Sequence, residues 1–249
     1  MNHPFMDIPI PTPPPFSWDA VRAVPIEEGG EETVPASLVP EKILVRPQYY
    51  HQMLERSVPE CYVRRSVLAR LLEAADMLPK GCRLVLLDSW RPRSIQTTLF
   101  QKFRSELREK MPLLSDAEIT TLASQYVAPP SLHPQHPSPH VTGGAVDLTI
   151  VDGTGICLPM GSEFDETSER SSTVWFERRL AAGEALSPEE TEAMYNRRLL
   201  FYVMQKAGFC NYPDEWWHFD YGDQIWALLS GKSCAIYGVT EPPFRWRQY

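Results

Sequence analysis

138-SPHVTGGAVDLTI-150 sets a histidine at the end of a proline-rich loop, then two glycines, then a short apolar run with one aspartate inside it. Gly143 and Gly144 permit a tight turn, and 145-AVDLTI-150 reads as a strand. Side chains alternate across a strand, so Val146 and Leu148 take one face while Ala145, Asp147 and Thr149 take the other. A carboxylate flanked by apolar strand residues is costly to bury unless something pairs with it. A metal ion would answer that cost.

The other donors are sought in 213-PDEWWHFDYGD-223, where two tryptophans stand between Glu215 and His218. The histidines are His3, His51, His133, His136, His140 and His218. Zinc commonly takes imidazole and carboxylate ligands, and in a catalytic site it keeps a fourth position open. His140, Asp147 and His218 supply three such ligands from two separated strands. Glu215, three residues before one ligand, is placed as the proton carrier for a water activated at the metal. The spacing differs from an HExxH helix, so the site has to be assembled from distant strands. Arg91 lies in the WRP corner directly after the apolar run 83-RLVLLD-88. It is the candidate to stabilise oxyanion charge or to grip a substrate carboxylate.

Each residue also has an ordinary reading. His140 alone suits a structural or exposed position, Asp147 a turn cap, Glu215 and His218 the rim of an aromatic strand, and Arg91 a loop brace. His133 and His136, with a proline between them, suit a loop or an accessory metal site. The zinc-hydrolase reading depends on the residues coming together.

Residues 1–40, rich in proline, glycine and glutamate, read as an irregular N-terminal arm, and 41–249 as one catalytic domain. In 61-CYVRRSVLARLLEAADML-78, Val67, Leu71, Ala75 and Leu78 recur on one helical face. LPKG breaks that helix, and 83–88 reads as a buried strand. Residues 94–110 and 116-DAEITTLASQYV-127 read as helices, and prolines 129, 130, 134, 137 and 139 make the next stretch a loop. Residues 151–186 look like a polar excursion over a site. In 187-SPEE-190, Ser187 caps a helix, Pro188 opens it and Glu190 completes a capping box. Gly208 stops that helix, and EWWHFDY follows as a strand. Helices mixed with short strands, without regular β-α repetition, predict a single α+β domain around a small, mainly antiparallel sheet.

The chain has 249 residues, 43% of them hydrophobic, enough for one sizeable core. Its formal charge of -8 argues against nucleic acid or an anionic membrane as the main partner. No apolar run is long enough to cross a bilayer. The start, MNHPFMDIPIPTPPPF, lacks the pattern of a secretory signal, so a cytoplasmic location is the expectation. Five scattered cysteines without a CxxC offer neither a disulfide framework nor a thiolate zinc site.

SPHVTGGAVD fits the SxHxxGxAxD pattern of the zinc D-alanyl-D-alanine dipeptidases of the VanX type, and EWWH supplies their ExxH. CYVRRSVL, LVLLDSWRPRSIQ, VAPPS, MGSEFD and NRRLL also resemble that family in the same order, from about Cys61 to Gly222. The resemblance implies the fold shared by zinc D,D-carboxypeptidases and the Hedgehog signalling domain. It implies His140, Asp147 and His218 as Zn2+ ligands, Glu215 as general base and then acid, and Arg91 as transition-state stabiliser. Ser138 and Asp165 match positions that contact substrate, Asp165 at the free amine. Before Cys61 the chain departs from the family's NNFTG-like segment and its substrate-facing tyrosine. There 45-VRPQYYHQMLERSVPE-60 offers Tyr50, or its neighbour Tyr49, in that role.

The expected activity is hydrolysis of a free D,D-dipeptide, foremost D-Ala-D-Ala. A D,D-carboxypeptidase or a dipeptidase of other specificity is the enzymatic alternative. A non-catalytic metal-containing binding protein is the alternative of another class. The expected partner is a small dipeptide, and a homodimer is left open.

Overall fold

In the computed structural model, which describes residues 3–124, 130, 131 and 133–243, the chain opens with α1 (Trp18–Ala23), β1 (Thr33–Pro35), β2 (Ile43–Val45) and α2 (Gln48–His51). β3 (Tyr62–Arg64), α3 (Arg65–Asp76), β4 (Arg83–Asp88), α4 (Arg93–Lys110) and α5 (Asp116–Ala123) follow. The second half holds β5 (Ala145–Val151), α6 (Trp175–Ala181), α7 (Pro188–Lys206), β6 (Cys210–Asn211), β7 (His218–Asp220) and α8 (Gln224–Leu229). A five-stranded sheet runs in the order β2-β4-β5-β7-β6, and β1 and β3 form a separate ribbon. Among the named strands of the described residues, only β2 with β4 pairs in parallel; the other strand pairings are antiparallel. The architecture is the expected α+β domain.

The period-2 pattern of β5 decides what lies on each side of the sheet. Val146, Leu148 and Ile150 enter one apolar cluster with Val67 and Leu71 of α3 and Leu199 and Val203 of α7. Asp147 and Thr149 take the other face, and they are buried too. With both faces covered, Asp147 needs polar partners. α7 begins on the expected box: Ser187 Oγ accepts from the Glu190 N–H while the Glu190 carboxylate accepts from the Ser187 N–H. Such a cap stabilises a helix by about 1 kcal/mol. Gly208, at φ 93°, ends the segment as predicted.

The proline-rich arm is poor in regular structure, yet the domain meets its polar backbone groups. Arg198 donates to the Met6 carbonyl, the Tyr202 hydroxyl to the Pro9 carbonyl, and the Ile10 N–H to Glu177. Further on, β1 pairs with β3. The buried Arg64 ties Glu28 to the carbonyls of Thr142 and Gly238. Met6 and Ala36 also enter the main apolar cluster, so the proline-rich stretch packs as part of the fold.

Three local expectations change. α5 ends at Ala123, and residues 125–127 of the anticipated helix lie outside the described residues, as do Val127–Pro129 of VAPPS. EWWHFDY is a strand only over His218–Asp220, because the Glu215 and His218 N–H groups turn back onto the carbonyls of Tyr212 and Glu215. The 151–186 excursion contains α6. No helix of the described residues is long and apolar enough to cross a membrane.

Candidate metal centre

Asp88, Asp147 and His218 occupy one row across β4, β5 and β7, since Asp147 is the register partner of both others. Strict alternation would send Asp88 to the same side as Leu86, which lies in the apolar core. A β-bulge between Leu86 and Asp88 breaks the alternation and re-aims the carboxylate towards the row. His140 arrives from the 3-10 turn Pro139–Thr142, which closes on Gly143 at φ 71°. At the next position a Cβ on Gly144 would collide with the Tyr221 carbonyl, so the chain can turn this tightly only with glycine there.

The hydrogen bonds fix both imidazoles. His140 Nδ1 lies 2.8 Å from the Ser89 carbonyl, which can only accept, so Nδ1 carries the proton and Nε2 presents a lone pair. His218 lies between two carboxylates, Nε2 2.9 Å from Asp220 Oδ1 and Nδ1 3.0 Å from Asp147 Oδ1, and donation from Nε2 to Asp220 would leave Nδ1 for a metal ion. His140 Nε2 and His218 Nδ1 then stand 3.2 Å apart. Asp147 contacts both, with Oδ1 3.0 Å from His218 Nδ1 and Oδ2 3.4 Å from His140 Nε2.

Two ring lone pairs facing each other beside a carboxylate call for a cation between them. The three donor atoms lie within 4.8 Å of one another, and all three residues are buried. An imidazole and carboxylate donor set of this kind, backed by a carboxylate on one histidine, suits Zn2+. His140, Asp147 and His218 are the residues that would hold that ion, and Zn2+ is the cofactor this donor set supports.

Electrostatics without the ion carry the same message. Burial pushes the His218 pKa down, but the carboxylates of Asp220 and Asp147 outweigh it and hold the ring well above its usual range. A proton on His218 thereby supplies the missing positive charge. Burial also depresses His140, more than Asp147 restores. Asp147, raised by burial, is brought below its ordinary value by His140, His218 and Arg91.

A cleft of about 950 Å³ opens over this row, and Tyr49, Arg91, Asp165, Trp217 and Glu215 line it together with the donors. Glu215 Oε2 lies 3.7 Å from His218 Nδ1 with 29% of its side chain exposed. Burial raises its carboxyl to about 8 in the absence of metal. Arg91 is held from three sides. Its Nε donates to Asp88 Oδ2 at 2.7 Å, its Nη1 to Gln96 Oε1 at 2.7 Å, and its Cζ sits 4.8 Å from the Tyr49 ring centre. Asp165 accepts from the Tyr49 hydroxyl at 2.8 Å, although the residue as a whole is exposed at the edge of the cleft. Its backbone is left-handed, at φ 62°, a strained state for a residue other than glycine.

Two sequence expectations land elsewhere. Tyr50 is 44% exposed, whereas Tyr49 is 4% exposed and faces the cleft. Neighbours on the short helix α2 point about 100° apart, so only one of the two can look inward. Ser138 lines an adjoining cleft of about 370 Å³, beside His133 and His136. Those two rings stack on each other at 4.6 Å and do not line the cleft over the metal donors.

Asp88, Gln96 and Asp220 were missed. Asp88 ends a buried strand and Asp220 is two residues from a ligand on the same strand face, so each carried a local signal. Asn196 and Arg197 of the NRRLL stretch are structural. They bind the carbonyls of Pro159, Met160, Arg170 and Ser172 and so fasten the segment that carries Asp165.

A mostly antiparallel α+β sheet bearing a buried His-Asp-His donor set, with a carboxylate and an arginine beside it, defines a zinc metallopeptidase. The Peptidase_M15 family model, described as D-ala-D-ala dipeptidase, matches residues 46–233, and the chain belongs to that family. It is 33% identical over 218 residues to a D-alanyl-D-alanine dipeptidase of Synechocystis sp., covering 82% of this chain and 87% of the relative. The D-alanyl-D-alanine dipeptidase of Escherichia coli K12 is 31% identical over 155 residues, 62% of each chain. Among solved structures, VanYB in complex with D-alanine-D-alanine aligns with a TM-score of 0.42 at 18% identity, over 73% of this chain and 84% of that one.

Proposed function

We propose that the protein hydrolyses the peptide bond of a free D,D-dipeptide, D-Ala-D-Ala foremost, to two D-amino acids. The observation that carries this reading is the joint lining of one cleft by the zinc donors, Glu215, Arg91 and the Asp165–Tyr49 pair. When bound, Zn2+ supplies Lewis acidity, polarising a carbonyl and letting water act as nucleophile near neutral pH.

Glu215 takes the proton from the attacking water and returns it to the departing amine. A zinc ion beside it would favour the carboxylate form, bringing Glu215 down from its raised metal-free value so that it can accept that proton. Arg91, already fixed by Asp88, Asp147, Gln96 and Tyr49, offers its unused N–H donors to the oxygen where negative charge develops. Asp165, oriented by Tyr49, pairs with the substrate ammonium, and that charge favours its ionised form. An amine anchor beside the chemistry selects a free dipeptide over the end of a longer chain.

Release of D-alanine from D-Ala-D-Ala by zinc-loaded protein tests this, with L-Ala-L-Ala and N-acetyl-D-Ala-D-Ala in parallel. Turnover of the D,D dipeptide alone is expected. Equal turnover of the acetylated compound would replace the dipeptidase with a D,D-carboxypeptidase.

A further inference from the structure

We infer that Trp18, delivered by the N-terminal arm, is a specificity-determining residue: its indole is the wall that limits the size of the side chain the cleft accepts. The inference rests on the dipeptidase reading above. Among the described residues, only Trp18 and Pro139 line both the catalytic cleft of about 950 Å³ and the side cleft of about 370 Å³. Pro139 is part of the turn that carries His140, so its place is fixed by the metal ligand. The indole is therefore the part of the partition that a substitution can change without touching the turn of the metal ligand.

Its position is built. α1 is capped by Ser17 Oγ and seated through the buried Val21. Gln224 of α8 donates to the Val24 carbonyl at the far end of the same helix. The indole lies 5.3 Å from the Phe16 ring and 5.9 Å from the Tyr212 ring. Tyr212 in turn meets the ring of His218 edge-on at 5.8 Å. One aromatic ring thus separates Trp18 from a zinc donor.

The space beside that wall exceeds what two methyl side chains fill, since a cleft of about 950 Å³ falls at the upper end for whole drug-sized ligands. Trp175, Phe103 and Tyr212 extend an aromatic lining over it. Behind the indole, the side cleft offers Val21 and Pro137. Shortening Trp18 joins the two spaces and gives a large apolar side chain an apolar place to go. A methyl side chain gains nothing from the same change.

The test compares kcat/KM for D-Ala-D-Ala, D-Ala-D-Phe and D-Phe-D-Ala across the zinc-loaded wild type, Trp18→Ala and Trp18→Phe, with zinc content and circular dichroism recorded for each. Trp18→Ala is expected to raise the ratio of one phenylalanine substrate to D-Ala-D-Ala by at least about tenfold, mainly through KM, with Trp18→Phe between it and wild type. A uniform loss on all three substrates with the ratios unchanged makes Trp18 a structural residue and overturns the inference. If Trp18→Ala fails to fold, the ratio in Trp18→Phe decides, and a value equal to wild type has the same consequence. Absence of any D,D-dipeptide hydrolysis by the wild type is a separate result: it removes the dipeptidase reading itself, and this inference with it.

Discussion

Asp88 and Asp147 face each other as register partners on adjacent strands, and a single guanidinium serves both. Arg91 Nε lies 2.7 Å from Asp88 Oδ2, and Nη2 lies 3.4 Å from Asp147 Oδ2. Asp147 is thus at once a metal donor and a partner of the cation proposed to stabilise the transition state. Chemistry and metal binding share one carboxylate.

Arg91→Lys separates those two roles, because it keeps the charge and loses the planar fork. The variant is expected to retain zinc while kcat falls by about 10²–10³-fold, the usual consequence of losing an oxyanion donor. Steady-state kinetics together with metal analysis check this. Arg91→Ala leaves Asp88 without its cation, and breaking a buried ion pair from one side costs about 3–5 kcal/mol. Its metal-free Tm should drop well below that of the lysine variant.

Glu215→Gln should lower kcat by at least about 10²-fold with zinc still bound. Full activity in that variant would remove Glu215 from the mechanism. The same substitution has a signature in pH. In the metal-free protein burial raises this carboxyl from 4.5 to about 8. A raised folded pKa contributes stability in full below the unfolded value, and the contribution is lost as pH rises from about 4.5 through about 8. Glutamine does not titrate. Calorimetry in chelator should therefore find the Tm of Glu215→Gln rising relative to wild type across that window; a constant difference would count against the buried carboxyl.

Asp220→Asn preserves an oxygen that can accept from His218 Nε2–H and removes only the charge behind the ring. Loss of such an outer partner weakens metal binding by about 10–100-fold. Competition with a chromogenic chelator should place the variant in that range, with His218→Ala weaker still.

Gly161 is where the Asp165 segment passes α6. Its φ is 84°, and a Cβ there would collide with the Phe176 ring. Gly161→Ala is expected to destabilise the protein by about 1–3 kcal/mol, seen as a lower Tm. If Asp165 anchors the substrate amine, KM for the dipeptide should rise more than kcat falls.

Removing zinc should abolish turnover and lower Tm, since the ion binds a donor cluster that the unfolded chain does not possess. Adding zinc back to the chelated protein should restore both, and a chelated protein that remained active would dispose of the metal centre.

What the sequence determined by itself is what neighbours along the chain decide. The alternation of 145-AVDLTI-150 put Asp147 opposite to Val146 and Leu148, because strand side chains alternate wherever the strand lies. The capping box at Ser187 and the left-handed stop at Gly208 bounded α7 for the same local reason. The metal donors were legible too, as the polar groups a buried strand could not otherwise tolerate.

Only the tertiary structure decided the rest. The bulge that turns Asp88 inward depends on how β4 registers against β5, and register is a property of a pair of strands. The choice of Tyr49 over Tyr50 follows from where α2 is set against the cleft, a rotation its four residues cannot specify. The proline-rich stretch gave no periodic signal, since isolated apolar residues such as Met6 and Ala36 and backbone groups reached by Arg198, Tyr202 and Arg64 order it from far along the chain. Local pattern fixes which face a side chain takes; long-range hydrogen bonds and packing fix what that face meets.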